Sequence, residues 1–160
     1  MTYILLLLMT ILNPDGKVIQ VSSPAFEKNG KIPSKYTCDG ENINPPLIIS
    51  GYPKDTKSIA LIMEDPDATN GTFYHWVMWN IQPGDSIMEN SALGIQGKNS
   101  SNDVGYTGPC PPDGEHRYIF RVYALKEEIG LSEGATRDEL MEAIKCKSLS
   151  SGQLTGTYKK

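Results

Sequence analysis

Arg117–Leu125, reading RYIFRVYAL, is the stretch that decides the fold. Aromatic and β-branched residues dominate it, which favours a strand. The period of two puts Tyr118, Phe120, Val122 and Ala124 on one face. Arg117, Ile119, Arg121, Tyr123 and Leu125 take the other. Upstream, Ser58–Met63 (SIALIM) is a continuous apolar run of strand length, the pattern of a strand buried on both faces. Tyr74–Ile81 (YHWVMWNI) reads as a further strand. Asn70-Gly71 between these two runs is a turn signal, although the connection is longer than a two-residue hairpin. Val18–Ser22 alternates, Leu47–Ile49 follows Pro45-Pro46, and Gly152–Tyr158 makes a last strand. One helix is expected. Thr136 and Glu139 fit a capping box, and Leu140, Ala143 and Ile144 form an apolar stripe after it. Four to seven strands with late helical content describe a β-sandwich or an α+β domain.

The 160 residues suit one domain. No internal repeat, low-complexity tract or linker divides them. Apolar residues make up 39% and charged residues 21%, which excludes a disordered chain and a membrane bundle. The net charge of −4 argues against broad nucleic-acid binding, which needs a basic face. Tyr3–Leu12 (YILLLLMTIL) is too short for a membrane span, which takes about 20 residues. It has the length of the apolar core of an export signal, yet no Lys or Arg precedes it. An export signal, a buried first strand and a shifted start codon all fit the run. The compartment is therefore periplasmic or secreted on the first reading and cytoplasmic otherwise. Residues 1–17 are set apart, and residues 18–160 are assigned to the single domain. Cys38, Cys110 and Cys146 form no CxxC pair, so a structural zinc site is not expected. An odd count leaves one thiol over, and the spacing alone does not choose a pair.

The chain has two histidines, His75 and His116. Each opens a predicted strand. Asp65-Pro66-Asp67 ends the SIALIM strand, so antiparallel pairing with Tyr74–Ile81 brings both aspartates near His75 at one end of the sheet. Gly108-Pro109-Cys110-Pro111-Pro112 is a stiff run whose only N–H donors are Gly108 and Cys110. Such a loop can shape a small anion-binding concavity. Each piece alone has a plain structural reading. Asp-Pro-Asp makes turns, a proline-rich loop is a stiff connector, Trp76 and Trp79 pack, and Cys110 is a small hydrophobe.

Taken together, Asp65-Pro66-Asp67-Ala68, His75-Trp76 with Asn80, Gly108–Pro112 and His116-Arg117-Tyr118 resemble the phosphatidylethanolamine-binding protein family, also called the Raf kinase inhibitor protein family. Tyr36–Asn42 (YTCDGEN) followed by Pro45-Pro46-Leu47 is similar to its bacterial and archaeal branch. The resemblance runs from about Ser22 to the C-terminus. Two places depart from the family pattern. Thr69 stands where a proline is common, and Asn99–Val104 lacks a sequence resembling Asp-Phe-Gly.

The resemblance implies a mainly β fold: a sandwich of two antiparallel sheets with a few short peripheral helices. It also implies a non-enzymatic pocket for small phosphate- or carboxylate-bearing head groups. Asp65, Asp67, His75, Gly108, Cys110, His116 and Tyr118 would bind the ligand, and Pro66, Trp76, Pro111 and Arg117 would support them. Arg117 would act as a counter-charge for Asp67. Two carboxylates beside an anion cost roughly 4 kcal/mol per close pair at an effective dielectric of 20. At least one histidine is therefore expected to be protonated in the complex, or a proton to be shared between Asp65 and the ligand. Cys38 and Cys110 both lie in branch motifs and would be close enough to bridge. No cofactor or metal is expected. Two other readings stand beside this one: an inhibitor of a kinase or protease acting through protein contacts, and a metal-assisted hydrolase. No nucleic-acid partner and no stable membrane span are expected, and dimerisation occurs among bacterial relatives.

Overall fold

The computed structural model describes residues 18–84 and 86–160; the reading of residues 1–17 lies outside them. Five antiparallel strands form the main sheet in the order β5-β4-β3-β6-β7. They are β3 (Ser58–Asp65), β4 (Phe73–Ile81), β5 (Ile95–Gln96), β6 (Glu115–Leu125) and β7 (Ser148–Lys159). A second sheet pairs β1 (Gln20–Ser22) with β2 (Ile48–Ser50). One helix, α1 (Arg137–Ile144), and a single 3-10 turn at Ser34–Tyr36 complete the regular elements among the described residues. The fold is the expected mainly β architecture with two antiparallel sheets. The two-residue β5 and the full 12-residue length of β7 carry no clear signal in the sequence.

The alternation read from β6 holds in three dimensions. Tyr118, Phe120, Val122 and Ala124 join Ile59, Leu61 and Met63 of β3 in one core. That face is roofed by Ile49 of β2 and by Ile19, Phe26, Ile32, Tyr36, Leu47 and Ile87 from loops. The other face holds Ala60, Ile62, Val77, Trp79 and Leu125 beneath Leu140 and Ile144 of α1. Every residue of β3 is buried because both faces are covered. Its one buried acid off the site, Glu64, is met by Arg121 Nε at 2.6 Å across the sheet. α1 starts where the capping box requires. The Thr136 hydroxyl accepts from the Glu139 N–H, and Glu139 Oε2 accepts from the Thr136 N–H at 2.7 Å.

Strand β4 breaks strict pairing twice. Between Ile59 and Leu61, β3 advances two residues while β4 advances three, from Ile81 to Met78. Asn80 absorbs the difference with φ 57°, a left-handed conformation that asparagine tolerates. Its amide then holds Ile129 from both sides: Ile129 N–H donates to Oδ1 at 2.8 Å, and Nδ2 donates to the Ile129 carbonyl at 3.0 Å. The second shift lies between Met63↔Trp76 and Glu64↔Tyr74, so His75 is the extra residue.

Replacing Asn80 with alanine removes both bonds to Ile129 and puts a Cβ-only side chain at positive φ. We expect a loss of about 2–3 kcal/mol, read from the urea midpoint at unchanged m-value. A loss under about 0.5 kcal/mol, the size of an ordinary surface change, would show that the amide clamp contributes little.

Candidate functional site

The bulge at His75 sets the site. In an unbroken strand His75 would point with Val77 and Trp79 toward α1. The extra residue returns Phe73 to the face opposite, where it pairs with Asp65, and brings the His75 ring into the cavity at that end of the sheet. Bulges re-aim side chains in this way. Ser100 secures the distorted strand: its hydroxyl accepts from Tyr74 N–H at 2.8 Å, and its N–H donates to the Tyr74 carbonyl at 2.9 Å.

The cavity encloses about 270 Å³. Asp65, His75 and His116 supply its polar end, and Phe73, Ala68, Pro111 and Pro112 supply apolar wall. Each histidine is fixed through Nδ1. His116 Nδ1 lies 2.8 Å from Asp65 Oδ2, and His75 Nδ1 lies 2.9 Å from the Thr107 carbonyl. A carbonyl or carboxylate only accepts, so Nδ1 carries the proton in both rings and Nε2 is the remaining nitrogen. The His75 ring sits between Phe73 and Tyr118, with centroids at 4.7 and 5.2 Å. Burial holds its pKa below the ordinary value, against the pull of the Thr107 carbonyl and the Asp65 charge. His75 is thus a neutral imidazole near neutral pH.

Asp65 is nearly fully buried, and both its oxygens are engaged. Oδ2 faces His116, and Oδ1 accepts the Asp67 N–H at 2.8 Å. Asp67 does not line the cavity. Its carboxylate makes a two-pronged pair with Arg117, Nε to Oδ2 at 2.8 Å and Nη2 to Oδ1 at 2.7 Å, and also accepts the Arg117 N–H. That guanidinium holds the Asp67 carboxyl at about 2, the usual sense for a paired acid. The counter-charge role expected of Arg117 is therefore the arrangement found, and it takes Asp67 out of the ligand set. Tyr118 is also absent from the lining. It is fully buried behind His75, and burial with the nearby Asp65 charge raises its phenol pKa. The Cys110 N–H approaches the Tyr118 hydroxyl closely enough to offset part of that rise, without reaching hydrogen-bond geometry.

The proline-rich wall is pinned from behind. Gly108 backs onto the Tyr36 carbonyl so closely that a Cβ there would lie 2.5 Å from it, which only glycine permits. The Gly108 N–H donates to Asn42 Oδ1 at 2.8 Å, so it is not free for a ligand. Of the two donors expected in this run, the Gly108 N–H is thus spent on Asn42 and the Cys110 N–H faces the Tyr118 hydroxyl. Cys38 N–H donates to the Pro109 carbonyl, and Cys38 and Cys110 form a disulfide with Cα atoms 5.4 Å apart. Closing a separation of 72 residues constrains the unfolded chain by about 4 kcal/mol in the chain-entropy view. Cys146 is free and exposed.

Trp76 is a core residue whose Nε1 donates to Gln96 Oε1, and Pro66 lies in the turn after β3. Thr69 and Ser101, from the two departing segments, both line the mouth. Sequence reasoning missed Phe73 and Thr107. Phe73 was recoverable only by knowing that the bulge puts it opposite Asp65. The role of Asn42 was hidden in a motif read merely as a branch marker. Among the described residues, no group of three or more His, Cys, Asp and Glu side chains has a geometry that could hold a metal ion, and no helix is long and apolar enough to cross a membrane.

Similarity to known proteins points to one family. The model of the phosphatidylethanolamine-binding proteins matches residues 22–159. A UPF0098 protein of Archaeoglobus fulgidus is 48% identical over 151 residues; the match takes in 89% of this chain but only 52% of that longer protein. A UPF0098 protein of Methanothermobacter thermautotrophicus is 43% identical, over 89% of this chain and 99% of its own length. The crystal structure of a protein from Chlamydia trachomatis, named as a phosphatidylethanolamine-binding protein homologue, superposes with a TM-score of 0.87 at 38% identity, covering 90% of this chain and 99% of that one. Escherichia coli YbcL, described as a member of the mammalian family, follows at 0.81 and 27%, covering 89% and 98%. Matched by the family model over residues 22–159 and by relatives above 40% identity across most of its length, the chain belongs to the phosphatidylethanolamine-binding protein family.

Proposed function

We propose that the cavity binds small anionic head groups, phosphate or carboxylate, without catalysing a reaction on them. One observation carries this reading: two imidazoles converge on one small cavity, each anchored through Nδ1 so that Nε2 is left for a ligand. The family is named for a phosphate-bearing lipid, and the Chlamydia homologue shares that name, which supports the class of ligand.

Charge balance makes binding proton-linked. Among the described residues the lining contains no Lys or Arg, and Arg117 is taken up by Asp67. An entering anion meets the Asp65 carboxylate and a neutral His75. A deprotonated Nε2 only accepts, so the complex is favourable when a proton arrives with the anion, on the Nε2 of His75 or of His116 or on the ligand itself. Where His75 takes the proton, binding raises a pKa that burial had lowered.

The test follows the two histidine side chains by NMR during addition of O-phosphoethanolamine. Both signals should shift together and saturate, and His75→Gln or His116→Gln should weaken binding about tenfold or more. Calorimetry in buffers of different ionisation enthalpy should show proton uptake near pH 7, with affinity falling as the pH rises further. A flat affinity from about pH 5 to 9 would sink the proton linkage, because an imidazole of ordinary pKa near 6.5 titrates across that window. Rings that ignore the anion altogether would sink the binding reading.

The lowered His75 pKa also has a consequence for stability without ligand. Above about pH 6.5 the ring is neutral both folded and unfolded, and it contributes nothing to the slope. Below that value the unfolded chain takes up the proton and the folded chain resists it. Stability should fall with pH there, and His75→Gln should flatten that part of the urea-unfolding profile. Identical acid limbs in the two proteins would contradict the assignment.

A further inference from the structure

We propose that the Cys38–Cys110 bridge is an exchange site for a small thiol of the glutathione class, which attacks Cys38 and leaves Cys110 as a thiolate on the cavity wall. Both half-cystines are exposed, so the bond is open to a nucleophile. Exposed disulfides are the labile ones, whereas buried structural bridges resist exchange. The two sulfurs differ in their surroundings. Lys160 Nζ lies 3.9 Å from Cys110 Sγ. Its other neighbour is Asp39, at 3.8 Å, whose second oxygen is occupied by the Tyr158 hydroxyl at 2.7 Å. A cation beside Cys110 makes that sulfur the better leaving group, and attack is thereby directed to Cys38.

The step balances without an outside oxidant. The incoming thiol gives up its proton to solvent, and its thiolate forms a bond to Cys38 Sγ. The Cys38–Cys110 bond breaks, and its electron pair stays on Cys110 Sγ. A second thiol can then displace the first from Cys38, yielding the small-molecule disulfide and two protein thiols. The wall does not depend on the bridge alone, because the Cys38 N–H to Pro109 carbonyl and Gly108 N–H to Asn42 bonds hold the same segments. Exchange thus changes charge more than shape. Cys110 lines the cavity, so its thiolate puts a negative charge beside the anion site. This last consequence rests on the anion-binding reading; the thiol chemistry does not.

The experiment uses the full chain carrying Cys146→Ser, so that the one free thiol neither reacts nor shuffles the bridge. Brief exposure to glutathione at pH 8, acid quenching and peptide mapping should find glutathione on Cys38 in clear excess over Cys110. Lys160→Gln keeps the disulfide and the fold; it should slow exchange about threefold and erode the preference, and added salt should do the same to the parent. Glutathione mainly on Cys110, or a preference unchanged by Lys160→Gln, would overturn the proposal. NMR of the mixed disulfide establishes that it is folded, and the histidine signals are then followed with O-phosphoethanolamine. Affinity should be weaker than in the bridged protein, and equal affinity would overturn the coupling to the cavity. If the bridged protein shows no response to the anion, the binding reading falls by itself, and the exchange site is decided by the peptide map.

Discussion

One extra residue in β4 orders the whole site. The main sheet is buried on both faces, so the parity of each strand is fixed by apolar side chains along its length: Leu61 and Met63 on one side, Ala60 and Ile62 on the other. Such a sheet cannot slip by one residue without exposing a full row of core. His75 shares its parity with Val77 and Trp79, which lie under α1. The shift between Met63 and Glu64 frees only the end of the strand from that parity. The hydrophobic requirement is met as far as Trp76, and the next residue is available for chemistry. Much of the surrounding structure serves to hold this local irregularity, including the Ser100 latch on Tyr74 and the aromatic rings on either side of His75.

A similar constraint governs the charges. A buried carboxylate is costly unless its lone pairs are occupied. Asp65 meets this with one backbone N–H and one imidazole, and in doing so it fixes which nitrogen of His116 faces the cavity. Asp67, two residues on, would double the negative charge at the mouth. Arg117 answers it with two side-chain bonds and one backbone bond. Because Arg117 and Tyr118 are neighbours on a strand, they point to opposite faces. One neutralises the outer acid while the other packs beneath His75. Only the inner acid and its histidine are left to shape the field inside.

The fold was largely legible because its evidence is periodic. Tyr118–Ala124 and SIALIM each repeat a pattern over many residues, and the Thr136–Glu139 box marks the helix start by local chemistry. β5 was illegible for the opposite reason: Ile95-Gln96 is too short to show any period, and its place at the sheet edge comes from tertiary packing. In the site, the end of the sheet where His75 and Asp65 meet followed from antiparallel pairing alone. The bulge did not, since alternation in YHWVMWNI looks intact and the register shift is a property of the pair of strands. The family resemblance puts Asp67 in the ligand set, and nothing in Asp-Pro-Asp tells a turn residue facing inward from one facing Arg117. Nothing in GPCPP announces that Asn42, 66 residues away in sequence, occupies the Gly108 N–H.

Under the proposed reading, selectivity follows from what the cavity withholds. A site lined by arginines would bind any phosphate tightly and at all ordinary pH values, since a guanidinium never gives up its proton. Here the cavity offers imidazole Nε2 atoms, which donate only once protonated, and the one formal charge in the lining is a carboxylate. If the cavity takes anionic head groups as proposed, an anion with no proton or cation of its own is penalised by Asp65. A head group that also carries an ammonium can satisfy that carboxylate while its phosphate faces the Nε2 atoms. The apolar wall of Phe73, Pro111 and Pro112 excludes water from one side and strengthens these contacts by lowering the local dielectric. On that proposal, discrimination against bare phosphate is built from Asp65, the one acid in the lining, whose sign alone would argue against its place in an anion site.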